Sequence, residues 1–102
     1  MAKVVVMYNQ PADPAAFDKY YFETHVPIAD KIPGLRSGTV NKGPVNAVMG
    51  GAAPYLIAEL QFDSMEDLQA GLVSSEGRAA AADLANFATG GATIYAYDTR
   101  SF

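Results

Sequence analysis

The sequence contains no cysteine and only one histidine, His25. The absence of cysteine excludes disulfide bonds, thiolate catalysis and cysteine-based zinc sites, and it is compatible with a reducing compartment. A lone histidine is also a poor basis for a zinc or non-haem iron site, because such sites need several ligands. A dimer could still supply two, and axial haem ligation by His25 is a further alternative. We expect a protein with no metal and no other cofactor.

Charge is scarce as well. Charged residues make up 18% of the 102 residues, and the formal net charge is −4. The chain therefore lacks the basic surface that holds a phosphate backbone, which argues against nucleic acid as a partner. No apolar run is long enough to cross a membrane, and the N-terminal run MAKVVVMY is too short for a signal peptide. We expect a cytoplasmic protein without a membrane partner.

Known catalytic and nucleotide-binding motifs are missing too. The glycine pairs Gly50-Gly51 and Gly90-Gly91 do not belong to a P-loop or to a G-x-G-x-x-G pattern. Serine catalysis would require Ser64, Ser74 or Ser75 beside the histidine, and no nucleophile-elbow sequence surrounds any of them. Attention therefore moves to the single histidine.

The residues that are present predict one α+β domain over residues 1–102. Half of the chain is apolar, which is enough to bury a core at this length. Alternation and β-branched residues predict strands over residues 3–8, 35–42, 55–62 and 92–97. Capping residues and helical spacing predict helices that begin at residue 14 and span residues 65–72 and 78–87, with a loop over residues 43–54.

This order, βαββαβ, predicts a ferredoxin-like fold with a four-stranded antiparallel sheet and the helices on one face. The opposite face should be too apolar for a monomer, because the first strand is apolar on both sides and the third directs Tyr55 and Ile57 outward. We therefore predict a homodimer that packs through its sheet faces. Glu59 and Gln61 indicate that the edge of this interface is polar.

The first helix carries the candidate site. Asp13 is a suitable N-cap and Pro14 a suitable first helical residue. One helical face is aromatic, with Phe17, Tyr20 and Tyr21 at i, i+3 and i+4. Pro27 should end or kink the helix, which leaves His25 at a helix end, one turn after Tyr21.

His25 is the only side chain with an ordinary pKa near neutrality, so it is the candidate general acid and base. The alternative is structural, since histidine at a helix end often caps a free carbonyl. Tyr21 is the second catalytic candidate, because its hydroxyl could donate to a substrate carbonyl or oxyanion. Phe17 and Tyr20 are candidates for the pocket wall, with a purely core role as the alternative.

Tyr95 and Tyr97 share one face of the last strand. They are substrate-binding candidates if that face lines the same pocket, and interface residues if it packs against a second subunit.

The spacing Phe17-x-x-Tyr20-Tyr21-x-x-x-His25-x-Pro27, followed by Pro33-Gly34-Leu35, resembles the N-terminal signature of the EthD family, named for ethyl tert-butyl ether degradation. Residues 75–78 and 83–87 are similar to the second-helix region of that family. The resemblance implies a dimeric α+β barrel with a pocket between helices and sheet. The superfamily includes cofactor-independent monooxygenases, isomerases and polyketide cyclases.

Together these observations predict a cofactor-independent oxidoreductase, isomerase or cyclase that acts on a small apolar oxygenated molecule, aromatic or polyketide-like, through His25. A non-catalytic ligand-binding or accessory protein with the same pocket is the first alternative. A purely structural dimer is the second.

Overall fold

A computed structural model describes all residues from Met1 to Phe102. The elements in chain order are β1 (Ala2–Tyr8), α1 (Pro14–Tyr20), a π-helical turn (Tyr21–His25), α2 (Val26–Ala29), β2 (Leu35–Val40), β3 (Leu56–Phe62), α3 (Met65–Val73), α4 (Ser75–Asp83), a 3-10 turn (Leu84–Asn86) and β4 (Ala92–Asp98). None of these helices combines the length and the apolar character that crossing a membrane requires.

The four strands form one antiparallel sheet in the order β2-β3-β1-β4, which confirms the predicted ferredoxin-like α+β fold. Alternate residues of β1 and β3 point to the helical face and form the core together with side chains from the helices. The core residues from these two strands are Ala2, Val4, Val6, Tyr8, Leu56, Ala58 and Phe62. The apolar pattern of both strands is therefore explained by burial under the helices.

The other face of the sheet has no helical cover. Val5 of β1 lies there, paired with Glu59 on one side and with Tyr95 on the other. Tyr95 and Tyr97 are 54% and 44% exposed. The Nζ atom of Lys3 lies 3.1 Å from a carboxylate oxygen of Glu59, so the polar part of this face is internally paired.

The predicted outward position of Tyr55 is wrong. This residue precedes β3, and its hydroxyl donates to Asp18 at 2.7 Å while its ring contacts Phe17 edge-on with 5.3 Å between centroids. Both partners belong to α1, so Tyr55 belongs to the helical side. A residue just outside a strand is not bound by the alternation within it.

The first helical segment does not stop before Pro27, so the prediction that His25 lies at a helix end is wrong. The segment continues to Ala29 through the π-helical turn, in which the Val26 N–H donates to the Tyr21 carbonyl five residues earlier. This wider register accommodates a proline that cannot donate the next α-helical bond. His25 therefore lies inside the segment.

The second helical region contains two helices in close contact. The N-caps are Ser64 for α3 and Ser74 for α4, each accepting a backbone N–H through its hydroxyl. The cap at Ser74 starts α4 at Ser75, three residues before the predicted start, because a serine cap takes precedence over the glycine that follows. Gly77 is buried against α3, and a Cβ atom there would lie 2.7 Å from the Leu72 carbonyl oxygen.

Candidate functional site

An aromatic cluster under the first helical segment surrounds Phe87. The centroid of its ring lies 4.7 Å from that of His25, and between 5.3 and 5.9 Å from those of four more aromatic rings, Tyr8, Phe17, Tyr20 and Tyr21. Phe17 is fully enclosed by this packing and lines none of the three main cavities. Its position is that of a core residue that supports the site.

His25 is paired with Asp83 of α4. The Nδ1 atom of His25 lies 2.9 Å from the Oδ2 atom of Asp83, and the two residues are only 6% and 7% exposed. The imidazole therefore does not cap a carbonyl. Because a carboxylate only accepts, Nδ1 carries the proton in the neutral ring and Nε2 keeps its lone pair. This is the tautomer that a general base needs.

Asp83 is held as a carboxylate by three donors. The hydroxyl of Tyr20 lies 2.6 Å and the side-chain amide of Asn86 3.0 Å from Oδ1, while His25 occupies Oδ2. Burial by itself disfavours the charged form, yet these hydrogen bonds outweigh it and hold the pKa of Asp83 below its ordinary value. The Tyr20 hydroxyl points at Asp83 and lines none of the three cavities. Its hydrogen bond to the Asp83 carboxylate raises the pKa of this hydroxyl.

Two neighbouring cavities, the inner cavities, lie between the helices and the sheet, and His25 lines only the smaller one. The smaller one, of about 70 Å³, is lined by His25, Tyr8 and an otherwise largely aliphatic set of side chains. The larger one, of about 220 Å³, lies between the first helical segment and strands β2 and β3. Ala29 and Leu60 line both cavities, so the two are neighbours. A cavity of roughly 150 Å³ accepts a benzene ring, which sets the scale of a ligand for the larger one.

A third and wider concavity of about 630 Å³ lies under the 43–54 loop. Its lining includes Asp18 and Tyr55, which are bonded to each other, and Phe22, which also borders the 220 Å³ cavity. It holds no histidine and therefore no group suited to proton transfer near neutrality.

Tyr21 forms part of the wall of the larger inner cavity. Its ring centroid lies 5.4 Å from that of His25. Burial raises the pKa of Tyr21 to about 12, so its hydroxyl stays protonated and remains a donor. The structure thus brings His25 and Tyr21 together, as the helical spacing predicts.

Tyr95 and Tyr97 are not part of this arrangement. Tyr95 pairs with Val5, whose side chain points away from the helices, whereas His25 lies on the side of Val4 and Val6. Within one chain the sheet separates both tyrosines from His25. Their surroundings are those of the uncovered sheet face.

Sequence reasoning missed the role of Asp83. It is the only charged residue between Arg78 and Asp98, and it lies in an alanine-rich helix that has to pack on a sheet. A carboxylate in such a position is rarely buried without a partner. With one histidine in the chain, that partner could have been inferred.

No group of three or more histidine, cysteine, aspartate or glutamate side chains is arranged to hold a metal ion. The oxygen-bearing side chains near His25 are the Asp83 carboxylate and three tyrosines, Tyr8, Tyr20 and Tyr21. The carboxylate already accepts three hydrogen bonds.

Distant solved structures share the fold. A dimeric ferredoxin-like protein of unknown function from Thermobifida fusca superposes with a TM-score of 0.67 at 12% identity, over 96% of this chain and 90% of that one. SnoaB, a cofactor-independent oxygenase from Streptomyces nogalater, has a TM-score of 0.67 at 12% identity, over 99% and 94% of the two chains. At these identities the likeness concerns the fold alone.

Nearer relatives define the family. An uncharacterised 11.0 kDa protein of the thcB-thcC intergenic region of Rhodococcus erythropolis is 41% identical over 95 residues, which cover 92% of this chain and 90% of that protein. An ethyl tert-butyl ether degradation (EthD) family protein from Bacillus halodurans is 38% identical with a TM-score of 0.86, over 98% and 99% of the two chains. Residues 9–91 match the EthD domain. The chain therefore belongs to the EthD family.

Proposed function

We infer that residues 1–102 form one small-molecule enzyme domain that moves a proton on a small apolar oxygenated compound, with His25 as the general base and acid. The observation that carries this inference is the 2.9 Å contact between His25 Nδ1 and Asp83 Oδ2 in a buried aromatic environment. A carboxylate on one ring nitrogen orients the imidazole and stabilises the imidazolium that forms when the other nitrogen takes a proton.

The proposed reaction begins with a C–H bond next to a carbonyl, or with a phenolic O–H. His25 Nε2 takes the proton, and the electron pair moves onto the substrate oxygen as an enolate or phenolate. The imidazolium then returns the proton to another carbon, which gives an isomer. For a substrate with a second carbonyl group, the enolate carbon instead forms a C–C bond to that carbonyl carbon, the C=O π pair moves onto its oxygen, and the imidazolium protonates this alkoxide to give a cyclised product. Neither route needs an external oxidant. Where dioxygen is a co-substrate, the enolate carbon forms a C–O bond and reduces dioxygen to a peroxide, which the imidazolium protonates.

The dimensions of the cavities support a single-ring substrate. We propose that a ring occupies the 220 Å³ cavity and that its polar group reaches past Ala29 and Leu60, which line both cavities, toward His25. The lining of both is mostly apolar, which favours a compound with few polar groups.

This proposal is tested by proton exchange in D2O. We expect the protein to accelerate loss of the α-proton NMR signals of single-ring ketones such as acetophenone. His25→Gln should lower the rate by about 10²- to 10⁴-fold, since that is the usual contribution of a general base. Asp83→Asn should lower kcat by a similar factor with little change in KM, because it removes the group that selects the tautomer.

Two controls accompany these variants. Tyr55→Phe removes a hydroxyl that is bonded to Asp18, outside the inner cavities, and should keep the wild-type rate. Circular dichroism verifies that each variant is folded. Equal exchange rates in the wild-type protein and His25→Gln would contradict the proposal, and oxygen-electrode recordings separate the dioxygen route from the isomerase route.

A non-catalytic binding protein is the second candidate. The observation in its favour is the small size of the cavity at His25, about 70 Å³, which holds roughly two water molecules. For this function we expect saturable ligand binding that His25→Gln weakens, without any exchange or product.

We also propose that the domain acts as a homodimer through its uncovered sheet face, as the dimeric relatives of this fold suggest. The exposed side chains of Tyr95 and Tyr97 provide an apolar surface next to Val5. Burial of such a surface by a second copy is the physical reason for association.

A further inference from the structure

Tyr8 of β1 presents a hydroxyl that the chain itself does not use. Tyr8 is 1% exposed, and its hydroxyl has no hydrogen-bond partner among the protein groups. Every side-chain nitrogen or oxygen atom that is completely buried has a hydrogen-bond partner. Because the Tyr8 hydroxyl has none, its oxygen atom cannot be completely buried and must face an open space. The space that Tyr8 lines is the 70 Å³ cavity that also contains His25.

We propose that Tyr8 is a further ligand-binding residue, whose hydroxyl donates a hydrogen bond to the oxygen of a neutral carbonyl or phenol compound held beside His25. A buried hydroxyl without a partner loses the free energy of a hydrogen bond unless a ligand or water supplies one. Ligand oxygen in this cavity would satisfy it while the reacting hydrogen faces the imidazole.

The position of the ring is fixed by its neighbours. Its centroid lies 5.4 Å from that of Phe17, 5.6 Å from Phe87 and 5.7 Å from Tyr21. Three aromatic contacts leave the ring little freedom to turn the hydroxyl elsewhere. Burial and the nearby Asp83 carboxylate keep that hydroxyl protonated by raising its pKa, so it stays a donor.

The charged groups around the two inner cavities favour a neutral ligand. No lysine or arginine lines either inner cavity, and their ionisable groups other than tyrosine are His25 and Asp30. The Asp83 carboxylate lies 2.9 Å from the Nδ1 atom of His25. An anionic ligand would enter an apolar space without a counter-ion and next to negative charge, which costs free energy. Carboxylates and phosphate esters are therefore disfavoured as ligands.

A role of Tyr8 in catalysis rests on the proposed function, because a hydrogen-bond donor at the substrate oxygen would stabilise the enolate that His25 creates. A hydrogen bond from Tyr8 to a bound ligand does not depend on turnover. The experiment therefore measures binding, so that the failure of catalysis and the failure of the Tyr8 assignment are separate results.

The probes are acetophenone, its hydrocarbon analogue cumene, and benzoate as the anionic analogue, each titrated into the full chain and followed by NMR. We expect the wild-type protein to bind acetophenone about tenfold more tightly than cumene, the usual value of one good hydrogen bond. Tyr8→Phe should abolish most of this preference and leave the cumene affinity unchanged. Benzoate should bind at least about tenfold more weakly than acetophenone.

Tyr55→Phe is the matched control, since it removes a hydroxyl outside the inner cavities and should retain the preference. An unchanged acetophenone preference in Tyr8→Phe would overturn the assignment, and so would a wild-type protein that binds neither neutral probe or prefers benzoate. Should Tyr8→Phe fold poorly, the Cζ resonance of labelled Tyr8 in the wild-type protein provides the answer. It should shift with acetophenone and not with cumene, and the reverse pattern overturns the proposal.

Discussion

Asp83 sets the tautomer of the His25 imidazole. A histidine in an aromatic cluster has two neutral tautomers of similar free energy, and the carboxylate at 2.9 Å selects the one with Nδ1 protonated. Because the pKa of Asp83 is lowered, its contribution to stability is present at neutral pH and is lost as the pH falls below the ordinary carboxyl range. The pair is thus intact under the conditions in which the proposed proton transfer operates.

Burial of a tyrosine hydroxyl affects stability in the opposite pH direction, because its contribution is lost as the pH rises. The pKa of Tyr21 rises from 10.0 to about 12, so above pH 10 the unfolded chain loses this proton while the folded chain keeps it. The free energy of unfolding must therefore fall as the pH rises, by up to about 1.4 kcal/mol per pH unit for one group.

We expect Tyr21→Phe to make the free energy of unfolding fall less between pH 8 and about pH 11 than it does in the wild-type protein. Urea unfolding at each pH measures this free energy. Values at pH 8 give the baseline, where both proteins carry neutral side chains at this position. The same steepness in variant and wild type would contradict the assignment of the alkaline loss to Tyr21.

At the scale of elements, the π-helical turn and the α3–α4 contact position the site. The π-helical turn carries the chain through Pro27 and places His25 inside the first helical segment, where its ring contacts Phe87. Close packing of α4 on α3 then aligns Asp83 with that ring. Gly77 allows this packing, because it is buried where a side chain has no room.

We expect Gly77→Ala to destabilise the fold by about 1 to 3 kcal/mol, because a Cβ atom would lie 2.7 Å from the Leu72 carbonyl oxygen and backbone cannot easily yield. Helix propensity alone predicts the opposite sign, a gain of about 1 kcal/mol. Urea unfolding distinguishes the two.

Ala79→Gly, at an exposed position of the same helix, is the matched control for propensity and should cost about 1 kcal/mol. A Gly77→Ala protein that is more stable than the wild type would show that the two helices can separate without cost.

At the scale of the molecule, the sheet has one face covered by helices and one uncovered face, and the two differ in composition. The covered face carries Tyr8 and encloses the inner cavities together with the helices. The uncovered face presents Tyr95 and Tyr97 around the Lys3–Glu59 ion pair. A face of this composition suits association with an identical face.

We expect Tyr97→Lys to convert a dimer into a monomer, since the new charge lies beside Lys3, its partner in the strand register, and would meet its own copy across the interface. Sedimentation velocity measures the change in mass. Val73→Lys, an exposed apolar position on α3, is the control and should leave the mass unchanged. A wild-type monomer, or a variant that sediments as a dimer, would contradict the proposed assembly.

Much of the fold could be predicted from local pattern. Alternation in β1 and β3 and the caps at Asp13 and Ser64 each depend on a few neighbouring residues, so the sequence displays them directly. The π-helical turn could not be predicted in this way. Whether a helix ends at a proline or widens around it depends on the tertiary contacts available beyond it.

The sequence by itself determined the element order, the aromatic face of the first helical segment and the choice of His25 as the only candidate base, because these follow from spacing and from residue chemistry. Only the tertiary structure decided that Asp83 orients the imidazole, that Tyr20 serves Asp83, and that Tyr8 shares the cavity of His25. Hydrogen bonds between Tyr20 and Asp83 join residues 63 positions apart, and those between His25 and Asp83 join residues 58 apart. Such contacts exist only after the core has closed, since packing and not local propensity brings those side chains within bonding distance.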